Sequence, residues 1–144
     1  MTTVRRTVGL VLGVGLLGTL AGCGDPRAEA SNTPVQPVKG RVVLGSQPLP
    51  GGQLKLSLQT NKDKYGEAEA VAMVQPDGTF EPRQVGDRPG LVEGRWKVVI
   101  DPVYVKNGKG ARVSVPARYT TGASDLTIDV PAGGAENVTV ALRP

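Results

Sequence analysis

A chain of 144 residues without a single histidine cannot assemble a Ser-His-Asp triad, an imidazole metal site or a histidine acid–base pair. Its one cysteine, Cys23, excludes an internal disulfide, so packing alone must hold whatever part of it folds. The formal net charge is +4, but Arg5 and Arg6 supply two of those charges and the rest alternate in sign, leaving no basic block suited to nucleic acid.

In chain order, Arg5 and Arg6 precede Val8 to Leu20, an uncharged Val/Leu-rich run of thirteen residues. As a helix it spans about 20 Å, short of the roughly 30 Å hydrocarbon core of a bilayer. An uncleaved anchor would have to use Thr7 to Gly24, where six of the eighteen residues are glycine and weaken both helix and hydrophobicity. A twin-arginine reading of Arg5-Arg6 is poorly matched by the following Thr7-Val8-Gly9. Leu20-Ala21-Gly22-Cys23 resembles the lipobox of a bacterial lipoprotein. Two small residues fit a peptidase groove beside the cut, and the cysteine supplies a thiol able to form a thioether to lipid. The resemblance implies a signal peptide at 1–22, recognised through Leu20, Ala21 and Gly22. It also implies that Cys23 is the acylated first residue of the mature chain, with fatty chains such as palmitate holding the protein to a membrane of the bacterial cell envelope.

Residues 23–37 follow as the lipidated cysteine and a Pro-, Ala- and acid-containing tether without apolar periodicity, able to reach roughly 45 Å if extended. From residue 38 to 144 the apolar runs have period two, the mark of half-buried strands. Val38, Val42 and Leu44 share one face; Leu54, Leu56 and Leu58 form the cleanest inward set. Glu67 to Val74 alternates less well, since Val71 and Met73 fall on the face of Glu67 and Glu69, as in an edge or partly covered strand. Pro76-Asp77-Gly78-Thr79 reads as a hairpin turn from which Phe80 starts the return strand. Trp96, Val98 and Ile100 point one way, as do Leu126, Ile128 and Val130, and then Val138, Val140 and Leu142. The joints between these runs are Gly/Pro-rich, and no amphipathic helix of useful length follows residue 37. The expected fold is all-β: a single Ig-like or prealbumin-like β-sandwich of about seven strands, behind an N-terminal signal helix and a flexible tether.

Val38-x-Gly40-x-Val42, Pro48-Leu49-Pro50-Gly51-Gly52, Asp77-Gly78-x-Phe80 and Gly94-x-Trp96-x-Val98 occur in that order. Pro116-Ala117-Arg118-Tyr119, Leu126-Thr127-Ile128-Asp129-Val130 and Ala135-Glu136-Asn137-Val138 complete the set. The order resembles the carboxypeptidase regulatory-like, transthyretin-like β-sandwich carried by small bacterial lipoproteins. Trp96 stands where an aromatic, often Tyr, is usual, and Val74-Gln75 replaces a more polar run before the Asp-Gly turn. The resemblance implies a Greek-key sandwich acting as an accessory, structural or binding module.

Catalysis finds little to work with. The transthyretin-like hydrolases of purine breakdown depend on histidines that this chain lacks, Cys23 is consumed by lipid, and no serine has lysine three residues on. Glu67 and Glu69 could form a carboxylate pair on one strand face, but exposed charges at that spacing are far more often solvated. The aspartates are scattered singly rather than gathered for calcium, and the Gly-rich segments join strands instead of opening helices. No metal or cofactor is therefore expected. Aromatic residues offer a ligand platform. Trp96 is phased into the core, Tyr104 beside the Asn107-Gly108 loop is placed for exposure, and Tyr119 with Arg118 either lines a groove or forms a corner tyrosine bonded to backbone. The expected function is that of a membrane-anchored envelope lipoprotein, a non-catalytic β-sandwich binding or structural module with an envelope protein or glycan as partner. The alternatives are a carbohydrate- or peptide-binding domain acting through its loops, with Tyr104, Arg118 and Tyr119 as contacts, and more distantly a carboxylate-dependent hydrolase.

Overall fold

The computed structural model describes residues 33–101 and 113–144. Leu20, Ala21, Gly22, Cys23 and Tyr104 lie outside the described residues. Among the described residues ten strands form two sheets. The six longer ones follow the period-two runs: β1 (Val38–Leu44), β3 (Gln53–Leu58), β4 (Glu69–Met73), β8 (Gly94–Asp101), β9 (Thr127–Val130) and β10 (Ala135–Leu142). Four two-residue strands lie between them: β2 (Gln47–Pro48), β5 (Thr79–Phe80), β6 (Arg83–Gln84) and β7 (Arg88–Pro89). One four-residue helix, α1 (Lys62–Tyr65), and a 3-10 turn at Ala117–Tyr119 are the only helical pieces among the described residues.

The larger sheet runs β7-β6-β4-β3-β8-β9, antiparallel throughout. The smaller one runs β10-β1-β2, with β5 also paired to β1. Its central pair, β1 with β10, is parallel, so the first and last strands of the domain lie side by side. That pair contains a bulge between Val38 and Gly40, opposite which Asn137 adopts a left-handed φ of 62°.

Burial follows the alternation. Leu54, Leu56 and Leu58 of β3, Trp96, Val98 and Ile100 of β8, and Ile128 and Val130 of β9 face the core from the larger sheet. Val38, Val42, Phe80, Val140 and Leu142 meet them from the smaller one. Leu49, Leu91 and Val92 plug the ends from the loops. Trp96 is fully buried, and its indole N–H donates to the Val92 carbonyl at 3.0 Å, so the ring's polar atom is satisfied inside.

One local expectation is corrected, and another is decided between its two alternatives. Pro76-Asp77-Gly78-Thr79 does turn the chain, with Gly78 at φ 83° and its amide bonded to the Gln75 carbonyl at 2.8 Å. The segment after it, however, does not pair back onto β4: Thr79 and Phe80 join β1 in the other sheet, opposite Arg41 and Gly40. The turn is thus a crossover between layers, drawn by burial of Phe80 between them. Of the two readings of β4, edge or partly covered, the second is the one found. The strand lies between β3 and β6, although β6 covers it only at Ala70 and Val71. Its inward residues are Ala70, Ala72 and Val74, which leaves the larger Val71 and Met73 outside.

The chain is docked before β1 begins. Gln36 exchanges two backbone bonds with Leu91, at 2.7 and 3.0 Å, and the Pro37 carbonyl accepts from Ala135 at 3.0 Å.

Replacing Trp96 by Ala removes the largest fully buried side chain of the core. It should cost about 3–5 kcal/mol, read as a lowered midpoint in urea or thermal unfolding.

Candidate functional site

The strand that alternates least well in sequence marks the surface of greatest interest. Among the described residues the exposed large hydrophobics are Val71 at 47%, Met73 at 57% and Val85 at 74% exposure. Val71 and Met73 stand on β4, and Val85 directly follows β6, the strand that pairs with β4. Singly exposed apolar residues are ordinary; three on adjacent strands make a patch.

Beside this ridge lies a cleft of about 800 Å³, walled by Val71 and Met73 on one side and by Lys39, Arg41, Asn137 and Thr139 on the other, with Phe80 and Gly40 at its base. The crossover at Asp77-Gly78 creates it, because β5 leaves β4 for β1 and the two sheets' outer surfaces meet around the gap. A second hollow of about 660 Å³ adjoins it, sharing Val71 and Arg83 and extending over Val85, Lys55 and Val99.

The three cations of the first cleft differ in state. Lys39 pairs with Glu81 at 3.1 Å and Arg83 with Asp87 at 2.9 Å, both largely exposed pairs of small energetic worth. Arg41 has no hydrogen bond or ion pair among the described residues. Its positive charge acts through space on Asp77, whose Oδ1 accepts from the Thr79 amide at 3.0 Å and the Thr79 hydroxyl at 2.6 Å. Those bonds from Thr79, ahead of Arg41, hold the Asp77 carboxyl below its ordinary value.

The residues expected to contact ligand stand elsewhere. Tyr119 is only 4% exposed, and its hydroxyl accepts from the Arg143 amide at 3.1 Å. It is a corner tyrosine, bonded to the far end of the last strand rather than to nearby backbone. Arg118 lies over the same ring at 4.8 Å and donates to the Arg143 and Pro144 carbonyls. The Arg143 amide, then Arg118, draws the phenol below its usual value. Both side chains are thereby occupied in closing the C-terminus. Glu67 is ion-paired with Lys62 at 2.9 Å, while Glu69 stands exposed on β4 opposite Ser57. Ser124, the one buried polar residue among the described residues, donates to the Val98 carbonyl at 2.6 Å.

At the other end of the sandwich, Glu93 accepts from Lys64 at 2.7 Å and Tyr65 at 2.9 Å, and Arg95 donates to Asp129 at 2.7 Å. Lys64, then Tyr65, lowers the Glu93 carboxyl, and Arg95 lowers that of Asp129. These groups satisfy one another. Among the described residues no cluster of three or more metal-ligating side chains occurs, and no helix is long and apolar enough to cross a membrane.

Signals for the cleft were present in sequence as Val71 and Met73 on a charged strand face, whereas Arg41 looked like any outward charge. No family model, curated protein or solved structure matches the chain.

The lowered carboxyls of Asp77, Glu93 and Asp129 fix the sign of a pH effect. Stability they contribute is complete above their ordinary values of 3.8 to 4.5 and is lost as pH falls through the lower folded values. The thermal midpoint should hold between about pH 7 and pH 5 and drop below about pH 4. Asp77→Asn should shrink that drop.

Proposed function

We propose that the protein is a lipid-tethered, non-catalytic β-sandwich module of the bacterial cell envelope that docks a partner protein through the β4 face and its cleft. The exposed Val71–Met73–Val85 ridge carries the binding half of this reading. Water is a poor neighbour for that much clustered apolar surface, and burial against a partner returns about 25 cal/mol per Å² of it. The anchoring half is supported by Leu20-Ala21-Gly22-Cys23 at the end of a short apolar run behind Arg5-Arg6. The similarity of motif order to carboxypeptidase regulatory-like domains, whose members are mainly accessory or binding modules, favours the same conclusion. Against the carboxylate-dependent hydrolase stands the ion pair of Glu67 with Lys62, which takes one of its two carboxylates, while Glu69 stands exposed on β4.

Action through the loops is less well supported than action through the face. Arg118 and Tyr119 are already engaged with the C-terminal strand, so a ligand there would have to displace bonds the fold uses.

Cys23→Ser should move the protein from the membrane fraction to the soluble fraction. Retention on the membrane after a high-salt wash would show that lipid at Cys23 is not the anchor. A photo-crosslinking residue placed at Met73 should capture its partner in cells, while one at Asp63 on α1 should not; equal capture at both positions would remove the β4 face from the reading.

A further inference from the structure

We infer that the cleft beside β4 takes a carboxylate-bearing peptide segment of the partner protein, an acidic side chain seating on Arg41 and a neighbouring apolar side chain covering Val71 and Met73. The inference rests on the docking role proposed for this face and specifies its chemistry. Three cations line the cleft against one lining carboxylate, Glu81. Lys39 and Arg83 each make an ion pair with a carboxylate, whereas Arg41 makes none among the described residues and only attracts Asp77 through space, the Asp77 Oδ1 being held by Thr79. Its planar fork of donors matches the two oxygens of a carboxylate, the pairing for which arginine is best suited.

Other anions fit less well. Glu81, Asp77 and Asp87 are interspersed among the cations and would repel a continuous polyanion or a uniformly anionic bilayer, while a discrete carboxylate can sit on Arg41 between them. Among the described residues a sugar would find no free ring to stack on: Phe80, Trp96 and Tyr119 are buried, and Lys64 covers Tyr65. The wall offered instead is aliphatic Val71 and the flexible thioether of Met73, which adapts to apolar side chains of varied shape. Asn137, carried outward at the β10 bulge, supplies an amide that suits peptide backbone.

The test is fluorescence anisotropy on the full chain in detergent, with a labelled eight-residue probe carrying one Glu flanked by Val in an otherwise Ser and Gly sequence. A probe with Gln in place of Glu, and unlabelled polygalacturonate as competitor, are the controls. The Glu probe should bind, the Gln probe about tenfold or more weakly, and polygalacturonate should fail to displace it. Arg41→Glu should cost about tenfold or more in affinity, with Arg41→Gln as a second variant should the first fail to fold. Arg143→Glu, a cation change outside the cleft, should leave binding unaltered. Absence of binding by the Glu probe, equal binding of both probes, displacement by polygalacturonate, or wild-type affinity in a folded Arg41 variant would each overturn the inference. Because the measurement needs neither membrane nor partner, its failure alongside position-specific crosslinking at Met73 would sink the carboxylate chemistry and leave the docking face standing.

Discussion

The smaller sheet closes around a point where no side chain fits. A Cβ on Gly40 would lie 2.6 Å from Cζ of Phe80 and 2.6 Å from the Val138 carbonyl oxygen, closer than real contacts come. Glycine there lets β1 hold three neighbours at once: β10 in parallel along its length, β5 at Gly40 and Arg41, and β2 at its far end. Remove that close approach and Phe80 loses its seat between the layers. With it would go the reason for the chain to change sheets after Gly78, whose own Cβ would meet the Val42 carbonyl at 2.8 Å. The fold, and the cleft beside β4, depend on two backbones and one aromatic ring sharing the space a methyl group would need.

The same crossover explains why this surface exists. A hairpin of ordinary length would have laid a strand along β4 and covered its free side. Instead β6 reaches β4 only at Ala70 and Val71, and the chain between them serves β1. The β4 strand spends small alanines on the core and larger Val71 and Met73 on the outside, the reverse of what stability alone would select. Local rules broken in this manner are expected where a surface has work besides folding.

Much of the sandwich was legible in the sequence because alternation is a local signal. Leu54, Leu56 and Leu58 announce a buried face whatever they pack against, and Trp96, Val98 and Ile100 do the same. The parallel pairing of β1 with β10 joins residues nearly a hundred positions apart and leaves no trace in either segment, so the Greek-key outline gave no hint of it. Phe80 was legible as a buried aromatic, but nothing near it told which sheet it would join. The two-residue strands at Gln47, Arg83 and Arg88 were invisible, since Gly/Pro-rich joints look alike whether or not two residues find a partner. In the cleft, the misphased Val71 and Met73 were visible as an anomaly. Arg41 was not, because whether a guanidinium is taken up in an ion pair depends on what surrounds it in space. Tyr119 was legible as a corner residue, though its partner, the Arg143 amide, lies 24 residues away, just past the end of β10.

A tether alters what such a surface must achieve. Free proteins meeting in solution lose translational and rotational freedom on association, which a modest patch with one charged anchor offsets poorly. If Cys23 holds the domain to the same membrane as its partner, the encounter is confined within reach of the tether and the effective concentration rises accordingly. The Gln36–Leu91 bridge and the bond from Ala135 to the Pro37 carbonyl then matter, for they fix where the proposed tether would leave the sandwich. That exit lies against the first residues of β1, whose Lys39 and Arg41 stand in the cleft wall. Under the proposed anchoring, the chain would present the β4 face from a defined starting point. Few contacts of modest strength, arranged about Arg41 and the Val71–Met73 ridge, would then be enough to hold the proposed partner, which could not be captured from dilute solution.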